Sequence, residues 1–153
     1  MLFSQIIGQE DIKKKLIQSV KENRVAHAQL FLGPEGTGKL ALAIAYAQYI
    51  NCTNKQENDS CGQCPSCKKF NSLAHPDLHF IFPNTTNKSV KKDPESNLFM
   101  TEWREYLESC ECYANPSNWY NALEIEKKQG IINVRDAATI MRKLNLKAYE
   151  AEY

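Results

Sequence analysis

The chain opens with a pattern typical of an amphipathic helix. Apolar residues recur every four positions at Ile12, Leu16 and Val20, which predicts a helix from Gln9 to about Lys21. The lysines at positions 13–15 lie largely off this stripe, and we expect them on the solvated side of the helix.

Two continuous apolar runs predict short strands. The run Ala28–Leu32 is typical of a buried strand, and the Ala-rich stretch that follows from Ala41 to about Ile50 predicts a helix. A second strand is predicted at Leu78–Pro83. The polar stretch from Asn84 to Ser96 is predicted to be an exposed loop.

The remaining pattern is helical. One helix is predicted to present a face of large side chains, spaced as on a single helix surface: Phe99, Trp103, Tyr106 and Cys110. A shorter helix carrying Trp119 is expected after Asn115. The last helix is predicted to begin at Asn133, a good N-cap with Asp136 three residues later. Its expected apolar stripe is Val134, Ala138, Met141 and Leu144.

Composition narrows the class of protein. The 153 residues contain 19 Lys plus Arg and 18 Asp plus Glu, so the net charge of +1 provides no general attraction to nucleic acid. No apolar run reaches transmembrane length, and the N-terminal residues do not resemble a signal peptide. We therefore expect a cytoplasmic protein, in which clustered cysteines are more often metal ligands than disulfides.

A glycine-rich stretch between the first predicted strand and its helix carries the first candidate site. It matches the phosphate-loop pattern G-x-x-x-x-G-K-[ST] at every fixed position except the last: Gly33, Pro34, Glu35, Gly36, Thr37, Gly38, Lys39 and Leu40. Backbone N–H groups and the helix N-terminus favour phosphate there, and Lys39 would reach the outer phosphates. Leu40 replaces the hydroxyl that normally holds Mg²⁺, which predicts phosphate binding without efficient hydrolysis. A glycine-rich turn that binds nothing is the alternative.

Four cysteines with the spacing C-x₈-C-x₂-C-x₂-C form the second candidate site. Cys52, Cys61, Cys64 and Cys67 can complete a tetrahedral zinc site with no open coordination position, which predicts a structural rather than a catalytic metal. Zinc would stabilise a loop too polar to fold by itself. An iron–sulfur cluster, disulfides and metal-free thiols are the alternatives.

Several of these segments together resemble the N-terminal part of bacterial clamp-loader ATPase subunits. These are the gamma/tau and delta-prime subunits of DNA polymerase III, in the AAA+ class. The resemblance lies in Ile7–Gln9, Ala26–Ala28, the phosphate loop, the four-cysteine insert and the segment opening the last helix at Asn133–Arg135. Leu40, together with Ala74–Asp77, is more similar to the delta-prime type than to the gamma/tau motor.

The resemblance implies an α/β fold of the P-loop AAA+ (RecA-like) type, with a parallel sheet flanked by helices and incomplete at the C-terminus. Residues 1–153 would then be the N-terminal part of a nucleotide-binding domain, with a zinc module at 52–67 and a helical or loop insert at 84–130. The two predicted strands would not be neighbours. The unfinished sheet is expected to favour self-association.

The same resemblance implies a role in the DNA polymerase III holoenzyme. The subunit would contribute to a clamp-loader ring with gamma/tau and delta subunits, and through that complex would act on the sliding clamp and primed DNA. Structural Zn²⁺ is the expected cofactor, with ATP or ADP at the phosphate loop. The alternatives are an ATP-hydrolysing motor of gamma/tau type, a zinc-stabilised phosphate-loop kinase or transferase, and a nucleic-acid-binding zinc module.

Overall fold

The computed structural model describes residues 1–125 and 128–151, and this part of the chain is helical. Its α-helices are α1 (Glu10–Lys21), α2 (Lys39–Ile50), α3 (Pro65–Asn71), α4 (Met100–Ser109), α5 (Pro116–Ala122) and α6 (Val134–Leu144). Two 3-10 turns lie at Phe3–Gln5 and Ser96–Phe99. None of the described helices is both long and apolar enough to cross a membrane.

The chain divides into two compact units. The first contains Met1–Leu78 together with residues 150 and 151, and the second contains His79–Tyr149. Both candidate sites lie in the first unit. The second unit holds α4, α5 and α6.

Helix α2 is the centre of the first unit. It is buried on most sides because its small alanines allow close packing, and its larger residues Leu42, Ile44, Tyr46 and Tyr49 are all in the core. The hydroxyl groups of Tyr46 and Ser19 lie 2.8 Å apart, which ties α2 to α1. The predicted helix at 41–50 is confirmed, and it begins two residues earlier than expected.

Helix α1 forms where the periodicity places it, but the predicted solvated side is wrong for Lys13. The buried residues of α1 are Lys13 and Ile17, whereas Ile12 is 43% exposed. Lys13 is buried because its ammonium donates to the Ile6 carbonyl oxygen at 2.7 Å and to Glu10 Oε1 at 2.8 Å. A periodicity of apolar residues does not detect such a partner, since the carbonyl lies outside the helix.

The predicted strand at 28–32 is not formed. Leu30 and Leu32 are 85% and 87% exposed, and no strand occurs within residues 1–125 or 128–151. A strand requires a neighbouring strand to which its backbone can hydrogen-bond. The apolar pattern indicates that the segment favours burial, but it does not indicate that such a neighbour is present. The described residues therefore show no strand of the predicted α/β fold, although both helices that flank this segment are present.

The second unit has an aromatic core. Trp103 of α4 stacks on Phe82 with ring centroids 4.3 Å apart, and Trp119 of α5 meets both rings edge-on. Phe80 and Tyr106 complete the cluster. The predicted aromatic helix face is confirmed for Trp103 and Tyr106 of α4, and Phe99, which ends the preceding 3-10 turn, is buried as well. The predicted strand at 78–83 is not formed, although Asn84 makes one antiparallel bridge to Ile131.

A buried polar network holds α6 in place. The carboxylate of Asp136 accepts from the Ser96 backbone N–H at 2.7 Å and from Asn84 Nδ2 at 2.9 Å, and Asn133 supplies the predicted N-cap. Asn84 and Ser96 are fully buried, so the prediction of an exposed 84–96 loop is wrong at both of its ends. Asn84 Nδ2, the Ser96 N–H and both oxygens of Asp136 are paired, which keeps the cost of burying them low, whereas Asn84 Oδ1 has no hydrogen-bond partner within the described residues.

The predicted apolar stripe of α6 is exposed. Val134, Met141 and Leu144 are 85%, 60% and 69% exposed, whereas Asp136 and Thr139 are the buried residues of this helix. The hydrogen bonds of Asp136 decide which side faces the unit, because an ionised carboxylate loses more by separation from its donors than a few apolar groups lose by exposure.

Candidate nucleotide and metal sites

The phosphate loop is a glycine-rich turn that ends at the start of α2. Gly36 and Gly38 adopt φ angles of 78° and 73°, in the left-handed region that glycine enters without strain. The first intrahelical bond of α2 runs from the Leu42 N–H to the Gly38 carbonyl oxygen, so the preceding N–H groups face the loop without helical partners. The helix dipole adds partial positive charge at the same place. This geometry suits an anion.

Lys39 lies folded over the loop. Its ammonium donates to the Pro34 carbonyl oxygen at 2.5 Å, and the Thr37 hydroxyl donates to the same oxygen at 2.8 Å. A Cβ atom added to Gly33 would lie 3.4 Å from Thr37 Oγ1 and 3.7 Å from Lys39 Cδ. The structure therefore brings together the predicted loop residues, with the Lys39 ammonium held by the Pro34 carbonyl oxygen of the loop.

A cavity of about 380 Å³ opens beside the loop. Its walls come from the start of α1, the extended 29–32 segment and the phosphate loop: Gln9, Ile12, Leu16, Gln29, Leu30, Phe31, Leu32, Gly33, Pro34, Thr37, Lys39 and Leu42. The lining therefore combines apolar side chains with residues of the phosphate loop. This combination fits a molecule with a flat or apolar part and a phosphate tail.

Leu40 lies in the first turn of α2, directly after Lys39, and is half-buried. An aliphatic side chain has no atom that can coordinate a cation, so this turn offers no hydroxyl ligand at the position next to the lysine. The loop is equipped for phosphate and poorly equipped for magnesium.

The four predicted metal ligands form one compact cluster. Their sulfur atoms all lie within 4.8 Å of one another, and the distances from Cys52 to Cys61, Cys61 to Cys67 and Cys64 to Cys52 are 3.6, 3.9 and 4.0 Å. Tetrahedral zinc with Zn–S bonds of about 2.3 Å requires sulfur atoms about 3.8 Å apart. The separations between the sulfur atoms are therefore close to those in a zinc site.

The local backbone aims these sulfur atoms at one point. Sγ of Cys61 accepts from the Cys64 N–H at 3.3 Å and from the Gln63 N–H at 3.5 Å, with Gly62 at φ 67° between them. Cys64 caps α3 and its sulfur accepts from the Cys67 N–H at 3.4 Å. Such N–H donors stabilise thiolates and orient them toward a metal.

The cluster is electrostatically incomplete without a cation. Burial raises the pKa of the Cys52 thiol and of the Cys67 thiol. Backbone N–H groups lower the pKa of the Cys61 thiol. Burial opposes ionisation of Cys64 as well, but hydrogen bonds from Thr53 and the Cys67 N–H lower its pKa to about 6. Packing four sulfur atoms together in this way favours a divalent metal, which would stabilise all four thiolates at once.

The geometry of the cysteine cluster also distinguishes a zinc site from disulfide bonds and from an iron–sulfur cluster. All four cysteines are free thiols, and the shortest separation of 3.6 Å is far beyond a disulfide bond of about 2.05 Å. In an iron–sulfur cubane the cysteines bind different iron atoms around a bulky cluster, whereas here the sulfur atoms converge on one point. The donor set and spacing fit Zn²⁺ held by Cys52, Cys61, Cys64 and Cys67.

Three residues with a place in these sites were not predicted from the sequence. Gln9 lines the cavity, and its side-chain amide lies 3.5 Å from the Thr37 carbonyl oxygen. Asp59 and Lys13 hold the N-terminal residues that precede Gln9. Only the polar character of Asp59 within a short loop could have drawn attention to it, because its partners are backbone groups distant in sequence.

Comparison with known proteins places the chain in a family. Residues 8–153 match the model of a family described as DNA polymerase III, delta subunit. This chain belongs to that family. The membership agrees with the clamp-loader resemblance, because the gamma/tau and delta-prime subunits are among the relatives found.

Individual relatives carry several names. The chain is 38% identical over 84 residues to DNA polymerase III subunit delta' of Bacillus subtilis, which covers 55% of this chain and 25% of the relative. It is 38% identical over 66 residues to DNA polymerase III subunit tau of the same organism, covering 43% and 12%. Protein STICHEL of Arabidopsis thaliana is 39% identical over 72 residues, covering 47% and 6%.

The matched region is a quarter or less of the length of each of these relatives. No solved structure matches the chain significantly. The family is therefore established by sequence, whereas the type of subunit within it is not.

Proposed function

We propose that the chain is the phosphate-loop region of a non-hydrolysing clamp-loader subunit of the delta-prime type. In this role it binds ATP or ADP at residues 33–40 and uses the nucleotide as a structural ligand. Leu40 carries the proposal, because it removes the hydroxyl that would position Mg²⁺ for phosphoryl transfer while leaving the N–H groups and Lys39 in place.

Zinc is the structural cofactor in this proposal. The ion joins the end of α2, through Cys52, to the start of α3, through Cys64 and Cys67. Four sulfur ligands leave no open position for water or substrate, so the ion contributes to folding rather than to chemistry. Its binding would offset the entropy of ordering the polar loop at 53–60.

The partners in this proposal are other clamp-loader subunits, of gamma/tau and delta type. Contact with the sliding clamp and primed DNA would come through the assembled complex. The nearly balanced charge of the chain supports indirect rather than direct contact with DNA, because independent DNA binding depends on an excess of basic residues.

A second candidate is an ATP-hydrolysing motor subunit of the gamma/tau type. The similarity to the tau subunit of Bacillus subtilis favours it, since the identity of 38% equals that to the delta' subunit. In this case Mg²⁺ would be held by water and phosphate oxygens in spite of Leu40.

The test measures zinc content, nucleotide affinity and ATP turnover in one preparation. The proposal expects one zinc ion per chain, ADP binding by calorimetry and no phosphate release. ATP turnover by the chain without partner subunits, abolished by K39A, would reject the non-hydrolysing role and establish the motor. Retained zinc with no affinity for ADP or ATP would reject the nucleotide-binding role alone.

A further inference from the structure

Residues 1–6, which precede the turn before α1, form an arm that is held by the zinc module at residues 52–67. Asp59 lies in the loop between the first two cysteines of the cluster. Its carboxylate accepts from the Phe3 backbone N–H at 3.0 Å and from the Ser4 N–H at 2.9 Å, and also from the N–H of Ser60 at 2.8 Å. Hydrogen bonds to an ionised carboxylate are stronger than those between neutral groups. This loop therefore fixes the position of the arm.

The loop that carries Asp59 is itself attached to α2. The hydroxyl of Ser60 accepts from Gln48 Nε2 at 3.0 Å, and both residues are buried. The ring of Phe3 packs against Tyr49 of α2 with centroids 5.7 Å apart. The arm thus lies between the zinc module and the helix that leaves the phosphate loop.

Lys13 holds the other end of the arm. Its ammonium donates to the Ile6 carbonyl oxygen and to Glu10, and the residue is only 7% exposed. Burying an ammonium is costly unless it is paired. The Ile6 carbonyl oxygen and the Glu10 carboxylate offset that cost for Lys13. This contact fixes Ile6 of the arm against α1.

The arm leads directly into one wall of the cavity. Gly8 and Gln9 both have positive φ angles, of 68° and 61°. A left-handed conformation is unfavourable for a residue with a side chain and persists where its surroundings impose it. This turn places Gln9 in the cavity wall, with its amide 3.5 Å from the Thr37 carbonyl oxygen of the phosphate loop.

We propose that Asp59 and Lys13 are positioning residues for the nucleotide cavity. They hold the arm and thereby set the turn at Gly8 and Gln9, so that the zinc module shapes the part of the cavity wall that Gln9 forms without touching a ligand. This inference rests on the proposed nucleotide binding. It predicts that the two residues matter for a ligand that fills the whole cavity and not for one confined to the phosphate loop.

The test compares ADP with inorganic tripolyphosphate, a probe that needs only the loop. Calorimetry on the full chain measures both affinities for D59N and K13M. The matched controls are E57Q, an exposed acidic position in the same loop, and K14M, the exposed neighbour of Lys13. D59N replaces an acceptor oxygen with a donor, and K13M keeps the aliphatic stem but removes the amine. K13R, which keeps a donor, should restore part of any loss.

We expect both variants to weaken ADP binding about five- to tenfold, a usual range for coupling between sites. Tripolyphosphate affinity and zinc content should not change. Faster hydrogen exchange at Phe3, Ser4 and the 6–9 segment should accompany the loss, while the controls match the wild type.

Three results would overturn the inference, and each is distinct. Unchanged ADP affinity in both variants, with binding by the wild type, would refute the positioning role and leave the proposed function standing. Equal losses for ADP and tripolyphosphate would show general loosening of the unit instead. Failure of the wild type to bind either ligand would reject nucleotide binding itself, and the inference with it.

Discussion

The cysteine cluster and the phosphate loop lie in the same unit and differ in how completely their chemistry is specified. In the cluster all four donors are present, their sulfur atoms lie within 4.8 Å of one another, and three of the separations, at 3.6–4.0 Å, match a tetrahedral ion. In the loop the backbone and Lys39 are arranged for phosphate, but Leu40 supplies no ligand for the metal that normally accompanies it. One replaced side chain therefore separates a site with a complete set of candidate ligands from one that lacks its usual magnesium ligand.

The comparison also shows which part of a site tolerates substitution. In the proposed function, phosphate recognition in the loop would come mainly from backbone N–H groups, which any sequence compatible with the turn provides. Zinc recognition in the cluster comes entirely from side chains. Loss of one loop side chain should remove one function, whereas loss of one cysteine should remove the whole metal site.

The largest effect is expected from loss of a zinc ligand. C67S should lower the zinc content from one ion per chain to nearly none and unfold residues 52–67, since structural zinc is bound with roughly 10–16 kcal/mol of apparent free energy. Metal analysis and circular dichroism would measure this. C110S is the control, because Cys110 lies outside the cluster. Zinc retained by C67S would show that the four-sulfur site is not the metal site.

A smaller effect is expected at the lysine of the phosphate loop. K39M removes the charge that meets the outer phosphates and should weaken ADP and tripolyphosphate binding at least tenfold, because charge-assisted contacts are worth about 1.5–3 kcal/mol. Calorimetry would measure it, with K15M on α1 as the control. An unchanged affinity would mean that phosphate binds elsewhere.

Restoring the missing hydroxyl should sharpen the comparison further. L40T is expected to make ADP binding stronger by about tenfold when Mg²⁺ is added, whereas the wild type should show little dependence on Mg²⁺. Titrations with and without Mg²⁺ would measure the difference, and L98T serves as a control at an exposed leucine of the other unit. A wild type that already depends strongly on Mg²⁺ would contradict the role given to Leu40.

The smallest effect is expected at Thr37. T37V removes the hydroxyl that donates to the Pro34 carbonyl oxygen and should weaken phosphate binding about threefold, in line with a net hydrogen-bond contribution of about 0.5–1.5 kcal/mol. Zinc content should not change. A loss as large as that of K39M would assign Thr37 a direct contact with phosphate rather than a supporting one.

The positions of the helices were predicted from the sequence more accurately than the faces that the helices bury. The periodicity of α1 and the alanines of α2 are local features, and so are the cap of α6 and the spacing of the four cysteines. Burial of Lys13, Asn84 and Asp136 depends on partners elsewhere in the chain, at Ile6, Ser96 and Ile131. Apolar periodicity does not detect such partners. For this reason Lys13 was predicted to be solvated although it is buried, and the α6 stripe was predicted to be the apolar face of its helix although it is exposed.

The amino-acid sequence by itself determined the donor types, the glycine turn, the missing hydroxyl and the family. Each of these resides in a few neighbouring side chains. Only the tertiary structure decided that the 28–32 backbone pairs with no strand among the described residues and that Asp59 and Lys13 hold the arm beside the cavity. Those outcomes depend on which distant groups meet, because hydrogen bonds between strands and between buried polar groups are formed across space and not along the chain.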